Sequence, residues 1–553
     1  MLLIPLLFAS PHARAADEFE GFRFYFGDIH EHTGASGDGG SNDIGTCVRE
    51  SDGGAGDCGS YVDVGTKARD NGLDFFATVD HVTSLEATTT AENYKAVFDL
   101  VNGLDDPSGG LVTLPGAEVF VELADGSDLG HRSLLFFGDQ ATLSTLTQAD
   151  VQPSGSTSNE VPSCATLTTF MDSLTARFGP ALLLPHHPGV QKPMPTDWTC
   201  FDATYEPLVE VYSEHGSSLD IRSKFDIPWG AYAEEGTVRV AIDPSAYGLR
   251  MGFGAGSDNH DTHGGDTCRL DTVLDNHPYA AGLTVVWQPT ADEFDRTAIF
   301  TAFNEHRTYA TTGPMIPLIV EIRKGDGTLV ANMGEAVELA TGQDLIVEAR
   351  VPTASAAAVI DATAIGPLGA WRMIEVTPGT WSITIPAAEM PENVFVDVQV
   401  DNTIASPADC DDGGVDDFDH LWSSPVFFDP VGPDEDGDGW SGDGGDCDDT
   451  NADVNPGAHE ACDHPSVDQD CDGLTADLDP DCEGDTGDTA DTGQTDTADT
   501  DTDSDPAPVD TSPDDVGELP ITHRFSCDST GGAAFGFATL LATAAGARRR
   551  RTC

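Results

Sequence analysis

Between residues 22 and 260, six short apolar runs each stop at a residue able to bind a metal: FYFGDIHEH, FFATVDH, VTLPGAE, LLLPHH, LVEVYSEH and GFGAGSDNH. This pattern constrains the fold more than any other feature of the chain. In parallel α/β architectures the C-terminal strand ends open on one face, and sites are assembled there from several strands at once. Helix-like segments alternate with the runs: YVDVGTKARDNG, AENYKAVFDLVNG, TLTTFMDSLTARFG and ADEFDRTAIFTAFNEH. That alternation predicts βα units and a barrel or layered parallel sheet. Asn71-Gly72, Asn102-Gly103 and Gly179 are expected to close three of the helices, since Gly and Asn enter the left-handed cap conformation.

The candidate ligands follow from the run ends. His30 and His32 are two apart, so on an extended segment both leave from one face and can grip one metal. Asp258 and His260 repeat that spacing, while His81, Glu118 and one of His186 and His187 lie between. The adjacent pair His186-His187 would point to opposite faces of a strand, which favours a single ligand, His187. Asp38 sits in a Gly/Ser-rich turn able to fold back. His131 and His215 are further candidates, as ligands or as donors that orient ligands, with Glu210 and His263 behind them. A single histidine at a strand end is more often a plain surface or core residue; agreement among six ends carries the metal reading. Mixed imidazole and carboxylate donors suit Zn²⁺, Mn²⁺ or iron, two or three ions in all, better than Mg²⁺ or Ca²⁺.

Beyond residue 315 the pattern becomes short β-like stretches (PLIVEIRK, QDLIVEARV, AVIDATAI, TWSITI, VFVDVQVDN, SSPVFF) broken by Gly, Pro, Asp and Asn, which reads as a β-sandwich over 315–430. Residues 431–483 are dense in Asp, Gly and Cys. There Asp434, Asp436, Asp438, Asp446 and Asp448 stand among glycines at spacings that let a loop fold its oxygens around Ca²⁺, without the flanking helices of an EF-hand. A disordered, solvated Thr/Asp-rich linker (484–524) and a small-residue apolar segment ending in Arg548–Arg551 (within 525–553) follow.

Of 553 residues, 25 are Lys or Arg and 96 Asp or Glu, a formal charge of −71, and residues 434–518 carry much of that acid with no Lys or Arg. No basic stripe exists to neutralise nucleic-acid phosphates, so nucleic-acid binding by charge is excluded. Residues 2–9 are apolar and Ala13-Arg14-Ala15 offers a cleavage pattern, so 1–15 reads as a signal peptide. Export agrees with twelve cysteines, among which Cys47/Cys58 and Cys164/Cys200 are candidate disulfides. Membrane contact is expected only through the C-terminal segment.

GDIHEHTGASGDG resembles the first motif of the polymerase-and-histidinol-phosphatase (PHP) family, and TVDH, LPGAE, HHPG and GSDNH follow in the order of its other motifs. VEVYSEHGSS, HRTYATTGPMI and WSSPVFF resemble a PHP-related group of exported bacterial proteins with a domain of unknown function. The resemblance implies a distorted (β/α)7 barrel over residues 17–314 with two or three metals held by His30, His32, Asp38, His81, Glu118, His131, His187, Asp258 and His260. It also implies hydrolysis of a small-molecule phosphoester by hydroxide that the metals activate. Asp38, Asp258, His215 and Arg307 are the catalytic candidates, and Arg132, Arg269 and Arg307 candidate phosphate clamps. DEDGDGWSGDGGDCDD, NPGAHEACD and DQDCDG resemble the metal-binding (MopE-like) repeat of secreted surface proteins, in which Cys447, Cys462, Cys471 and Cys482 would staple the loops, the pairing being open. Cys527, the apolar stretch and RRRR resemble a MYXO-CTERM sorting tail, which implies a sorting protease and cell-surface attachment. Two other readings remain open: a metallohydrolase of non-phosphate esters or amides, and a calcium-stabilised surface or adhesion protein with an idle barrel.

Overall fold

The computed structural model describes residues 17–33, 36, 60–83, 90–123, 128–154, 160–161, 163–190, 196–221, 223, 225, 227, 233–260, 262–267, 279–340, 344–401 and 418–431, with 447, 448, 450, 451, 454, 468, 469 and 471 in the Cys-rich region. All of them fall in one compact unit, Met1–Asp485. The fold is mixed α/β, with large sheets and few helices.

The first runs become strands β1 (Phe22–Glu31), β2 (Phe75–Thr78), β3 (Val112–Leu123), β4 (Asp128–Phe136) and β5 (Ala181–Pro185), neighbours in that order in one sheet. β1, β2 and β3 run parallel. β4, which the apolar-run pattern did not single out, is antiparallel to both β3 and β5, so β5 points the same way as β3. β6 (Leu208–Ser213) and β7 (Gly252–Ala255) pair in parallel. β6 lies beside β5, and the chain after β7 returns to β1 through a parallel bridge from Asn259 to Glu31. The C-terminal ends of β1, β2, β3, β5, β6 and β7 therefore face one side.

These runs are continuously apolar because both faces are covered. Tyr25, Ile29, Phe75, Ala77, Leu114, Leu182, Leu184 and Leu208 form one buried cluster, and the alternate residues Phe24, Phe26 and Phe76 form another with Val64, Ala68, Val97 and Val101. The latter come from helices α1 (Val64–Asp70) and α2 (Ala91–Leu104). Burying a side chain of this size contributes about 2–3 kcal/mol. α2 is capped by Thr90, whose side chain accepts from Asn93 N. α3 (Cys164–Phe178) stops at Gly179 as expected, but with φ 85° and ψ −170°, a glycine conformation outside the left-handed helical cap. The expected stop at Asn102-Gly103 does not occur: α2 continues to Leu104, and buried Asn102 instead donates to Gln140 O and accepts from Arg296. Asn102 serves tertiary contacts that a local cap rule does not see.

β8 (Leu283–Pro289) is antiparallel to β1 and to β9 (Thr308–Thr311). β9 then pairs with the strand Phe418–Ser423, so the main sheet runs unbroken into the region after residue 315. A second, five-stranded sheet (Ile319–Lys324, Leu329–Asn332, Leu345–Arg350, Ile374–Thr377, Thr380–Ile385) shares one buried apolar cluster with it, Val320, Ile322, Val347 and Ile385 meeting Val396, Val398, Leu421 and Phe428. Two-sheet packing is thus present where a sandwich was expected, but one of its sheets is continuous with the preceding part.

Disulfides join Cys164 to Cys200 and Cys447 to Cys471, with Cα atoms 5.3 and 5.6 Å apart. The signal peptide, the linker, the sorting segment and the Cys47/Cys58 pair lie outside the described residues. No helix among the described residues is long and apolar enough to cross a membrane.

Candidate metal centre

At the common face, His30, His32, His81, Glu118, His131, His186, His187, His215, Asp258 and His260 converge. Glu118, on β3, is the hub. Its Oε1 lies 2.5 Å from His131 Nδ1, 3.4 Å from His81 Nδ1 and 3.4 Å from His186 Nε2. Its Oε2 lies 2.9 Å from His32 Nε2 and 3.6 Å from His30 Nε2. Asp258 is the second hub: Oδ1 is 3.2 Å from His30 Nε2 and 3.3 Å from His32 Nε2, while Oδ2 is 2.9 Å from His215 Nε2 and 3.9 Å from His187 Nε2. Four overlapping groups each bring donor atoms within 4.8 Å of one another: His32, His81 and His260; His131, His186 and His187; His30, His32, Glu118 and Asp258; and His187, His215 and Asp258.

Hydrogen bonds among these atoms, such as that from His131 Nδ1 to Glu118 Oε1, satisfy the cluster only in part. His30 Nδ1 lies 2.8 Å from Glu210 Oε2 and donates to that carboxylate, which leaves His30 Nε2 as a lone pair in the neutral ring. That lone pair faces His32 Nε2 at 3.2 Å and the acceptors of Glu118 and Asp258. His186 Nε2 and Glu210 Oε1, both buried, have no hydrogen-bond partner among the described residues. Convergent buried lone pairs are costly unless a cation lies among them, so the donor set fits transition-metal ions.

The electrostatics divide the cluster. Burial opposes a charge on His30, yet Asp258 and Glu210 outweigh it and raise its pKa well above the ordinary value, so a metal ion bound at Nε2 would have to displace a proton there. Burial pushes Glu118 upward, but the neighbouring His81 and His131 hold it well below the usual carboxylate range, and His30 and His215 do the same for Asp258. Both carboxylates stay ionised. Burial, with His30 beside one and His131 beside the other, lowers His186 and His187 well below the normal imidazole pKa, which keeps them neutral as ligands must be. Burial lifts Glu210 to about 7 against the pull of His30.

Several expectations change. His186 and His187 do not alternate across a strand: β5 ends at Pro185, and His187 adopts φ 30°, so both rings enter the cluster, His186 stacking on His30 with centroids 4.1 Å apart. Asp258, at φ 54°, also holds a left-handed backbone unusual for a non-glycine residue. Arg307 is not at the site. Its carbonyl accepts from Trp287 N, level with Phe24 on β1, about 20 Å of strand from His30, and its Nε pairs with Glu305 at 2.6 Å. Arg132 is fully buried and ion-paired with Glu206 at 2.5 Å, so it clamps the fold instead of a ligand. His263 lies against Lys67 Nζ at 3.1 Å. Asp38, Arg269, Asp434, Asp436, Asp438 and Asp446 lie outside the described residues; Asp448 accepts from Thr450 Oγ1 at 2.8 Å.

Glu210, ranked low by sequence, proves a direct partner of His30, and Asp28, Asp80 and Ser257 were passed over altogether. Asp80 accepts from Thr33 N at 2.8 Å. Asp28 extends the i,i+2 series of His30 and His32, a signal that was available in the sequence.

Two family models match parts of the chain. Residues 252–326 match "Protein of unknown function (DUF3604)", a stretch that contains β7, Asp258, His260, β8 and β9. Residues 446–477 match Cu-binding_MopE, described as "Putative metal-binding motif", and contain the Cys447–Cys471 disulfide and Asp448. Two of the ten converging residues, Asp258 and His260, thus lie in a stretch similar to a family without an assigned function. No curated protein and no solved structure matches the chain.

Proposed function

We propose that this chain is an exported, surface-attached, metal-dependent hydrolase with a PHP-type barrel, and that small phosphoesters are its substrates. One observation carries the reading: two carboxylates and eight imidazoles from seven strands bring buried donor atoms to common points, an arrangement suited to cations. His30, His32, Glu118 and Asp258 would hold one ion, His32, His81 and His260 a second, and His131, His186 and His187 a third. Such ions, when bound, supply Lewis acidity toward a phosphoryl oxygen and acidify water.

The chain's own residues do the rest. Glu118 and Asp258 stay ionised and fix the spacing of the imidazoles. Glu210 holds the proton on His30 Nδ1 and so keeps Nε2 free for coordination. His215, at the edge of the cluster and 2.9 Å from Asp258 Oδ2, is placed to hold or deliver a proton to a leaving oxygen. Phosphoester preference rests on the motif resemblance; export is supported by the apolar leader and by the disulfides Cys164–Cys200 and Cys447–Cys471. The tail module is proposed to bind Ca²⁺.

The test is metal analysis of the purified full chain together with a hydrolysis screen over phosphomonoesters, phosphodiesters, carboxyl esters and amides. At least one transition-metal ion per chain, calcium retained by the tail, and phosphoester hydrolysis abolished by His30→Ala and by Asp258→Ala are expected. Metal below one per chain with no hydrolysis sensitive to those substitutions overturns the reading; turnover of carboxyl esters or amides alone moves the substrate class.

A further inference from the structure

The two ligand pairs, His30 with His32 and Asp258 with His260, come from segments more than 200 residues apart, and one buried side chain ties them together. Asp28 is fully buried on β1. Its Oδ1 accepts from His30 N at 3.0 Å and from Ser257 N at 2.9 Å, and its Oδ2 accepts from Gly265 N at 2.8 Å. One carboxylate therefore holds the amide of a ligand on β1, the amide of the residue before Asp258, and the loop beyond His260.

The tie is reinforced on both sides. Ser257 Oγ donates to His30 O at 2.8 Å, and Asp258 N donates to the same carbonyl at 2.6 Å. At Gly256 the backbone passes so close that a Cβ would stand 2.5 Å from His30 Cβ and 3.0 Å from Glu210 Oε2. Asp258 keeps its left-handed backbone within this strapped segment, and such a conformation persists only where its surroundings over-determine it.

We infer that Asp28 is the positioning residue of the metal centre: it sets the register between the His30/His32 and Asp258/His260 pairs, and metal affinity depends on it although it is not a ligand. The inference rests on the metal-centre reading above. Asparagine is close in shape, but it offers one acceptor oxygen and an NH₂ donor where three N–H groups need acceptors, so at least one strap is lost. Supporting partners of metal ligands typically change affinity by about 10–100-fold when removed.

Asp74 provides the control. It is a second buried carboxylate that accepts an amide of β1, Phe26 N at 2.9 Å, four residues before His30 and at the N-terminal end of β2, away from the cluster. Zn²⁺ affinity of the full chain is measured by competition with a chromophoric chelator, and thermal unfolding is followed in excess chelator, for wild type, Asp28→Asn and Asp74→Asn. Expected is a loss of about 10–100-fold in Zn²⁺ affinity for Asp28→Asn and wild-type affinity for Asp74→Asn, with both variants folded. Wild-type affinity in Asp28→Asn, or an equal loss in Asp74→Asn, overturns the inference while leaving the metal centre standing. A wild-type chain that binds no Zn²⁺ overturns the metal-centre reading and the inference with it. If Asp28→Asn folds only with Zn²⁺ present, the Zn²⁺ concentration needed to fold it is read instead: a requirement at least about tenfold above wild type supports the inference and an equal one overturns it, as does failure to fold at any Zn²⁺ concentration, which would make Asp28 a residue of the fold and not of the metal centre.

Discussion

At the level of single residues, the centre departs from simple strand geometry at two positions, and both matter. His187 and Asp258 have positive φ, and that turn of the backbone admits His186 and His187 together and aims Asp258 at four imidazoles. His186→Ala and His187→Ala are therefore each expected to lower bound transition metal or weaken its affinity by at least about tenfold, measured by metal analysis after dialysis. Loss in one variant only would restore a single-ligand geometry. Arg307→Ala, remote from the cluster, should leave metal content and turnover within about twofold of wild type. His30 and His32 were legible because strand periodicity puts them on one side, whereas Glu118, Asp258 and His260 were legible from their places at the ends of apolar runs, Asp258 lying beyond β7 with a left-handed backbone. The Arg307 assignment failed because proximity to a motif in sequence says nothing about which end of a strand a residue occupies. Glu210 was hard to see because its role depends on β7 approaching through Gly256, a contact between segments.

Among the elements, the helices and strands that sequence located best are those packed on two faces. Continuous apolar runs such as FYF and FFAT reveal them. β4 escaped because HRSLLFFG follows a histidine and an arginine whose burial depends on Glu118 and Glu206, not on any local pattern. Among the described residues, the segment after HHPG has no regular element until β6 apart from a single turn, Trp198–Cys200, and it is pinned to α3 by Cys164–Cys200. Closing a loop with a sequence separation of 36 removes unfolded-state entropy worth about 4 kcal/mol in the chain-entropy model. The Cys164→Ala/Cys200→Ala double variant should accordingly lose about 2–4 kcal/mol in chemical denaturation. A loss below about 0.5 kcal/mol would show that the segment is held by its packing, Trp198 and Tyr205 above all, and not by the cross-link.

Taken as a whole, the chain is not a barrel with an appendage. β9 pairs with Phe418–Ser423, Ser424 Oγ accepts from Phe253 N at 2.9 Å and lies 3.1 Å from Thr308 Oγ1, and Phe395 and Trp422 sit in one buried cluster with Val209 and Phe253. Sequence placed a boundary near residue 314 because composition changes there. The pairing that bridges it joins strands about a hundred residues apart and leaves no local trace. A fragment of residues 17–314 should consequently be insoluble or lack a cooperative thermal transition, whereas 17–431 should unfold in one transition by circular dichroism and calorimetry. Independent folding of the shorter fragment would contradict this.

The distribution of ligands along the chain also fixes when a metal can be captured. His30 lies in the first strand of the sheet core and His32 directly after it, while Asp258 and His260 follow the seventh, so the two donor groups that contain His32 are complete only once β7 has met β1, whereas His131, His186 and His187 come from a shorter stretch. Closing the loop from β1 to β7 must precede any gain from coordination by the two groups. Ions held by those two groups would therefore load late in folding, and a chain that crossed a membrane unfolded would draw them from the compartment in which it folds.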